Sequence, residues 1–195
     1  MPIHEILKLK ASGNEEINMA IMLAMHCGPI LKGSKAGSII TLSGRQLSAI
    51  KFLINGTSVS YCVLKSKGDK FILYLYREQE ISEYINREDI KAFLKGYGYK
   101  GEDLGESLAV LSERILLYGN GKTQFPHEIG VFLDYPLADV RGFIENQGKN
   151  YIYSGYWKVY HNAEEAIKLF RRYDREREMA VREVVLGKTI QEVAV

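Results

Sequence analysis

The apolar and polar positions change period several times along the chain. In "SGNEEINMAIMLAMHCGP", Ile17, Ala20, Ile21 and Ala24 recur at helical spacing. Ser12 and Glu15 stand at capping-box separation at its start, and Gly28-Pro29 is expected to stop it. The glycine-rich "GPILKGSKAGS" then reads as a loop. A second capping box, Ser43 with Gln46, opens a helix that runs to Ile54 and ends at Asn55-Gly56. The period then drops to two. "SVSYCVLK" and "KFILYLYR" are rich in β-branched and aromatic residues and flank "SKGD", which predicts an antiparallel hairpin over about 58–77. Phe71, Leu73 and Leu75 fall on one face and Ile72, Tyr74 and Tyr76 on the other, so both faces are expected to be covered.

Helical spacing returns from Arg87 to Lys95, with Asn86 as the expected N-cap. It returns again through Leu104, Leu108, Leu111, Ile115 and Leu116. In "FPHEIGVFLDYP" each proline suits a first helical turn, so Pro126 and Pro136 are each expected to start a helix. "YIYSGYWKVY" alternates like a strand over about 151–160, with Tyr151, Tyr153, Gly155, Trp157 and Val159 on one face. Asn162 is placed to cap a last long helix whose buried stripe is Ala166, Phe170, Tyr173, Val181 and Val184. The pattern is α+β: a small antiparallel sheet, made of the hairpin and the late strand, packed against a layer of helices. A single domain over 1–195 is expected, with 1–11 and 186–195 as loosely held ends.

Composition changes this picture little. Apolar residues are 46% of the 195 and charged residues 26%, with a net charge of +2. That balance gives no electrostatic footprint for a polyanion, so nucleic acid is disfavoured as a partner. The 13 tyrosines are the one departure from ordinary usage. The longest apolar run, "INMAIMLAMHCGPIL", falls short of the roughly 20 residues a membrane span needs. With two cysteines and no signal-peptide layout, the chain is expected to be cytoplasmic.

Each chemical candidate has a plainer reading beside it. His127-Glu128 lacks the second histidine of H-E-x-x-H, since Val131 stands there. Its plain reading is a helix first turn, where Glu128 complements the dipole. Gly28 and Gly33 have Walker A separation, but Ser34 and Lys35 come in the wrong order after a helical element. Lys32, Gly33 and Lys35 can still form an anion-binding nest, or be a solvated loop. Cys27 is a nucleophile only if a histidine such as His127 is folded onto it, and its place near a helix C-terminus disfavours a thiolate. Trp157 and its tyrosine neighbours suit core packing better than base stacking. The run "RRYDREREMAVRE" reads as a solvated helix face. No metal site and no cofactor are expected.

"HCGPILKGSKAGSI" and "FPHEIGVFLDYPLADVRGFIENQGKNYIYSGYWKVY" together resemble the bacterial family catalogued as domain of unknown function 3793. Gly28 stands where that family is expected to carry alanine, and Asp134 where it is expected to carry glycine. The resemblance implies a small bacterial cytoplasmic protein, loosely associated with iron or redox metabolism, and brings no reaction with it. The expectation is a non-catalytic binding or regulatory module for a small anionic ligand or a protein partner. Its site residues would be Lys32, Gly33, Lys35, His127, Glu128, Arg141 and Trp157. The alternative is a thiol-dependent enzyme using Cys27 with a histidine such as His127.

Overall fold

The computed structural model describes residues 13–100 and 103–195, together with 4, 5, 7 and 11. Helix α1 spans Glu15–Leu31 and is capped by Asn14, whose side chain accepts from the Ile17 N–H. Ser12, the expected cap, lies outside the described residues. Gly28-Pro29 bends the helix without stopping it. Cys27 leaves helical φ/ψ at a kink, and a further turn follows. Pro29 is tolerated there because a kink frees the hydrogen bond that its missing N–H would have made.

Strand β1 (Gly37–Ser43) follows, its first two residues closing the stretch that reads as a loop. Helix α2 (Gly44–Ile54) opens on the expected Ser43–Gln46 capping box. Strands β2 (Ser60–Lys67) and β3 (Lys70–Tyr76) form the expected hairpin, with Gly68 at φ +57° in its turn. The sheet order is β1-β3-β2, antiparallel throughout. Leu73, Leu75 and Phe71 pack with α1 and α2 on one face, while Ile72, Tyr74 and Tyr76 join a second apolar cluster on the other. Covering on both faces is what an alternation of two apolar sets demands.

The second cluster is closed by α3 (Glu78–Ile85), α4 (Glu88–Lys95) and α5 (Leu104–Gly119). Arg87, not Asn86, is the N-cap of α4; Asn86 closes α3, an element its polar sequence conceals. Leu104, Leu108, Leu111 and Ile115 are buried as expected, but Leu116 is exposed. Pro126 does not start a full helix. Its segment makes one turn, α6 (Ile129–Phe132), before Asp134 takes φ +61° and ends it. Pro136 caps α7 (Leu137–Glu145) as expected.

The late strand is a tight hairpin of its own, β4 (Tyr153–Ser154) against β5 (Lys158–Val159), and does not join the main sheet. Gly155 permits the reversal. A Cβ there would stand 2.3 Å from the Phe170 ring. Helix α8 (Ala163–Val185) carries the expected cap, Asn162, and the expected buried stripe. It lies along α1, and at Gly28 the two backbones are so close that a Cβ would meet Arg177 Cα at 2.5 Å.

The 186–195 segment, read as a loose tail, is held down. A capping box of Thr189 and Glu192 starts α9 (Ile190–Val193), and Ile190 and Val193 are fully buried in the first core. Arg77 donates to the Val195 and Ile30 carbonyl oxygens at 2.7 and 3.1 Å. The sequence pattern is too short to announce an apolar pair on a single turn. No helix among the described residues is long and apolar enough to cross a membrane.

A candidate binding site in the 125–160 segment

Tyr135, Asp139 and Trp157 organise this segment. Asp139 sits in the first turn of α7 and is almost fully buried. Its Oδ2 accepts the Trp157 indole N–H at 2.7 Å, and its Oδ1 accepts the N–H groups of Tyr160 and His161 at 2.7 and 3.0 Å. One carboxylate therefore fixes both the strand after the turn and the indole. The Trp157 ring stacks on Tyr135 with centroids 4.9 Å apart and meets the Phe170 ring edge-on at 4.5 Å. Tyr84 donates to the Tyr135 carbonyl at 2.6 Å, and Tyr74, fully buried, donates to the Phe132 carbonyl at 2.6 Å.

These contacts leave a cleft of about 440 Å³ walled by Phe125, Leu133, Tyr135, Val140, Phe143 and Trp157. That size lies within the range of small-molecule sites, which are mostly apolar with a few placed polar groups. Here the polar groups with capacity to spare are His127, Ser154 and Lys158. His127 stands between Phe125 and Phe143, 5.2 and 5.0 Å from their ring centroids. Burial lowers its pKa below the ordinary 6.5, outweighing the attraction of Glu128, so the ring is neutral at pH 7. Lys158 donates to the Gly148 carbonyl at 2.7 Å and lies over the rings of Tyr151 and Phe143. Each of the three polar groups can donate a hydrogen bond into the cleft.

The structure separates the residues that sequence reading grouped together. Glu128 does not share the cleft with His127. It is fully buried, ion-paired with Arg114 and bonded by the Tyr99 hydroxyl at 3.2 Å. The backbone N–H groups of Ile129, Gly130 and Val131 donate to the Pro126, His127 and Glu128 carbonyls and are not available to an anion. Arg141 lies on the exposed side of α7 over the Phe93 ring. Trp157 and His127 are the two expected residues that do share the cleft.

The glycine-rich loop is a helix terminus, not a nest. Gly33, at φ +73°, donates to the Ile30 carbonyl and Ser34 N–H to that of Pro29, a Schellman closure that consumes the N–H groups an anion would need. Lys32 is ion-paired with Glu183 at 2.5 Å and donates to the Val193 carbonyl at 2.9 Å. The acidic residues of α8 thus hold the loop, with Ser34 donating to Glu176. That helix face is only partly solvated.

Lys35 turns the other way. It is 8% exposed and lines a smaller chamber of about 210 Å³ with His26, Cys27, Ser38 and Tyr156. Ile39, Leu133 and Tyr135 border both this chamber and the cleft. Cys27 is almost completely buried, and burial pushes its thiol up to about 12 against smaller opposing effects of Ser38 and Lys35. A thiolate is therefore scarce at neutral pH, and His127 lines the cleft rather than the chamber of Cys27.

Among the described residues, no three His, Cys, Asp or Glu side chains gather to hold a metal. Phe125, Tyr135, Asp139, Phe143 and Lys158 carry the site without having been singled out from sequence. Phe125 and Tyr135 bracket the His127 stretch, whereas nothing local marks Asp139, whose partners are about 20 positions away. No curated protein and no solved structure matches the chain. A family model described as "Protein of unknown function (DUF3793)" matches residues 23–194, and the chain belongs to that family.

Proposed function

We propose that this protein is a non-catalytic binding module whose aromatic cleft takes a small, flat, largely apolar molecule bearing one acidic or acceptor group. The observation that carries this reading is a set of apolar walls around three donors: His127, Ser154 and Lys158. The adjacent carboxylate, Asp139, has both oxygens engaged by N–H donors, which offset part of its charge. An apolar body would be held by ring faces, and its charged end by the Lys158 ammonium. The hydrogen bonds of Asp139 and Tyr84 hold the walls before any ligand arrives, which lowers the ordering cost of binding.

Anilinonaphthalene sulfonate, an aromatic body with one sulfonate, is a suitable probe. Its fluorescence in titration should saturate at one equivalent. His127→Ala and Lys158→Met should each weaken it several-fold while leaving the thermal midpoint nearly unchanged. Absence of saturation, or an affinity unchanged from the native protein in both variants, would refute the reading. A large loss of stability in His127→Ala with unchanged probe affinity would make His127 a structural residue.

A further inference from the structure

The smaller chamber contains a group that the fold leaves unused. Lys35 is 8% exposed and lines the chamber, and its ammonium feels the Asp134 carboxylate only electrostatically. Its Nζ lies over the face of the Tyr135 ring, 5.3 Å from the centroid. Buried ammonium groups are nearly always paired, and an exception calls for an explanation. The chamber holds about 210 Å³, the volume of about seven waters at roughly 30 Å³ each.

We infer that Lys35 is a reactive amine whose chamber admits a small aldehyde or ketone and condenses with it to an imine. The geometry favours a neutral carbonyl compound over an anion. Asp134 faces Lys35 closely enough to interact with it electrostatically, so an anion bound at Nζ would be repelled by that carboxylate. A carbonyl compound enters without losing the hydration of a charge.

The Nζ lone pair attacks the carbonyl carbon, the C–N bond forms, and the carbonyl oxygen takes a proton to give a carbinolamine. Loss of the nitrogen proton and departure of that oxygen as water leave the C=N bond, so aldehyde plus amine gives imine plus water. Asp134, fixed by the Ala36 N–H on its Oδ2 at 3.0 Å, acts on Lys35 electrostatically without lining the chamber, so solvent water carries these protons. Burial supports this chemistry by lowering the Lys35 pKa from 10.5 to about 8, against the opposing effects of Asp134 and Cys27. The free-amine fraction at pH 7 is then about 300-fold that of an ordinary lysine. Cys27, with its thiol held protonated, does not compete.

The inference does not depend on the aromatic cleft being a binding site. To test it, the native protein is incubated with sub-stoichiometric butanal at pH 7, reduced with borohydride, and mapped by peptide mass spectrometry. A single butyl adduct on Lys35 is expected, at least tenfold favoured over any exposed lysine, lost in Lys35→Arg and evenly spread in urea. Non-specific chemistry would label a buried lysine least. Adducts confined to exposed lysines, or no adduct, overturn the inference. Lys35→Met should retain its anilinonaphthalene sulfonate affinity, which separates failure here from failure of the cleft.

Discussion

Asp139→Asn tests how the binding cleft is built. The native carboxylate accepts three hydrogen bonds on two oxygens, and an asparagine has only one acceptor oxygen. If that oxygen keeps the Tyr160 and His161 N–H groups, the amide NH₂ is left facing the indole N–H, donor against donor. A hydrogen bond to a charged group contributes about 1.5–3 kcal/mol net, so Asp139→Asn should cost about 2–3 kcal/mol. Asp139→Ala strands all three donors. Water can reach the half-buried backbone side, so the loss should be about 3–5 kcal/mol and not the full sum. Trp157, the single tryptophan, reports directly on the broken contact. Urea denaturation at pH 7, followed by Trp157 emission and by circular dichroism, gives both the stability and the local change. Trp157→Phe removes the donor from the other side, and the double-mutant cycle should show a coupling of about 1.5–3 kcal/mol. A cost below about 0.5 kcal/mol with unshifted Trp157 emission would refute the idea that Asp139 sets the cleft.

Glu128→Gln removes one partner of a buried ion pair with Arg114 and should cost about 3 kcal/mol by denaturation, with probe affinity in the cleft unchanged. The folded Cys27 thiol should react with a disulfide reagent no faster than the protein unfolds, and labelling within seconds under native conditions would contradict its burial. The folded-state pKa of Lys35 is lowered, so between about pH 8 and 10.5 the unfolded chain holds the extra proton and stability rises with pH. Lys35→Met should therefore be more stable than the native chain at pH 7 by up to about 3 kcal/mol, with the gap closing above pH 10.5. A pH-independent difference would show that the ammonium carries no burial penalty.

The α+β class, the hairpin with its two apolar sets, the Ser43–Gln46 box and the Asn162 cap were legible because each is written within a few residues. The hairpin turn, for instance, needs only "SKGD" and the alternation on either side. What was not legible depends on partners far along the chain. Strand β1 escapes assignment because only residues 39–42 of it lie between a glycine-rich stretch and a capping box, and its pairing partner β3 is about 30 residues on. The "YIYSGYWKVY" alternation continues through a reversal, so an apparent single strand is two, and Gly155 marks the turn only once Phe170 is known to press on it. Lys32 and Lys35 are three residues apart, a spacing that reads as one anion site. The Schellman closure sends them to different neighbours, Glu183 for one and the Tyr135 ring for the other. Of the expected site residues, His127 and Trp157 meet in the cleft, Lys35 reaches the neighbouring chamber, and Glu128 and Arg141 serve other contacts.

Asp134 shows how one backbone choice produces both cavities. Its φ of +61° is strained for a residue with a Cβ, and the family resemblance leads one to expect glycine there. The strain is tolerated because the side chain is used: Oδ2 accepts from the Ala36 N–H and ties the end of α6 to the start of β1. The reversal at Asp134 swings Tyr135 away from the helix, and the Tyr135 N–H closes onto the Gly130 carbonyl at 2.9 Å. Tyr135 then has Trp157 against its ring on the cleft side and the Lys35 ammonium over it in the chamber. A glycine at this position would take the same φ without cost but would lose both the tie to β1 and the carboxylate that faces Lys35. Backbone strain that persists where a functional side chain is gained is the pattern expected of a site rather than of a plain turn.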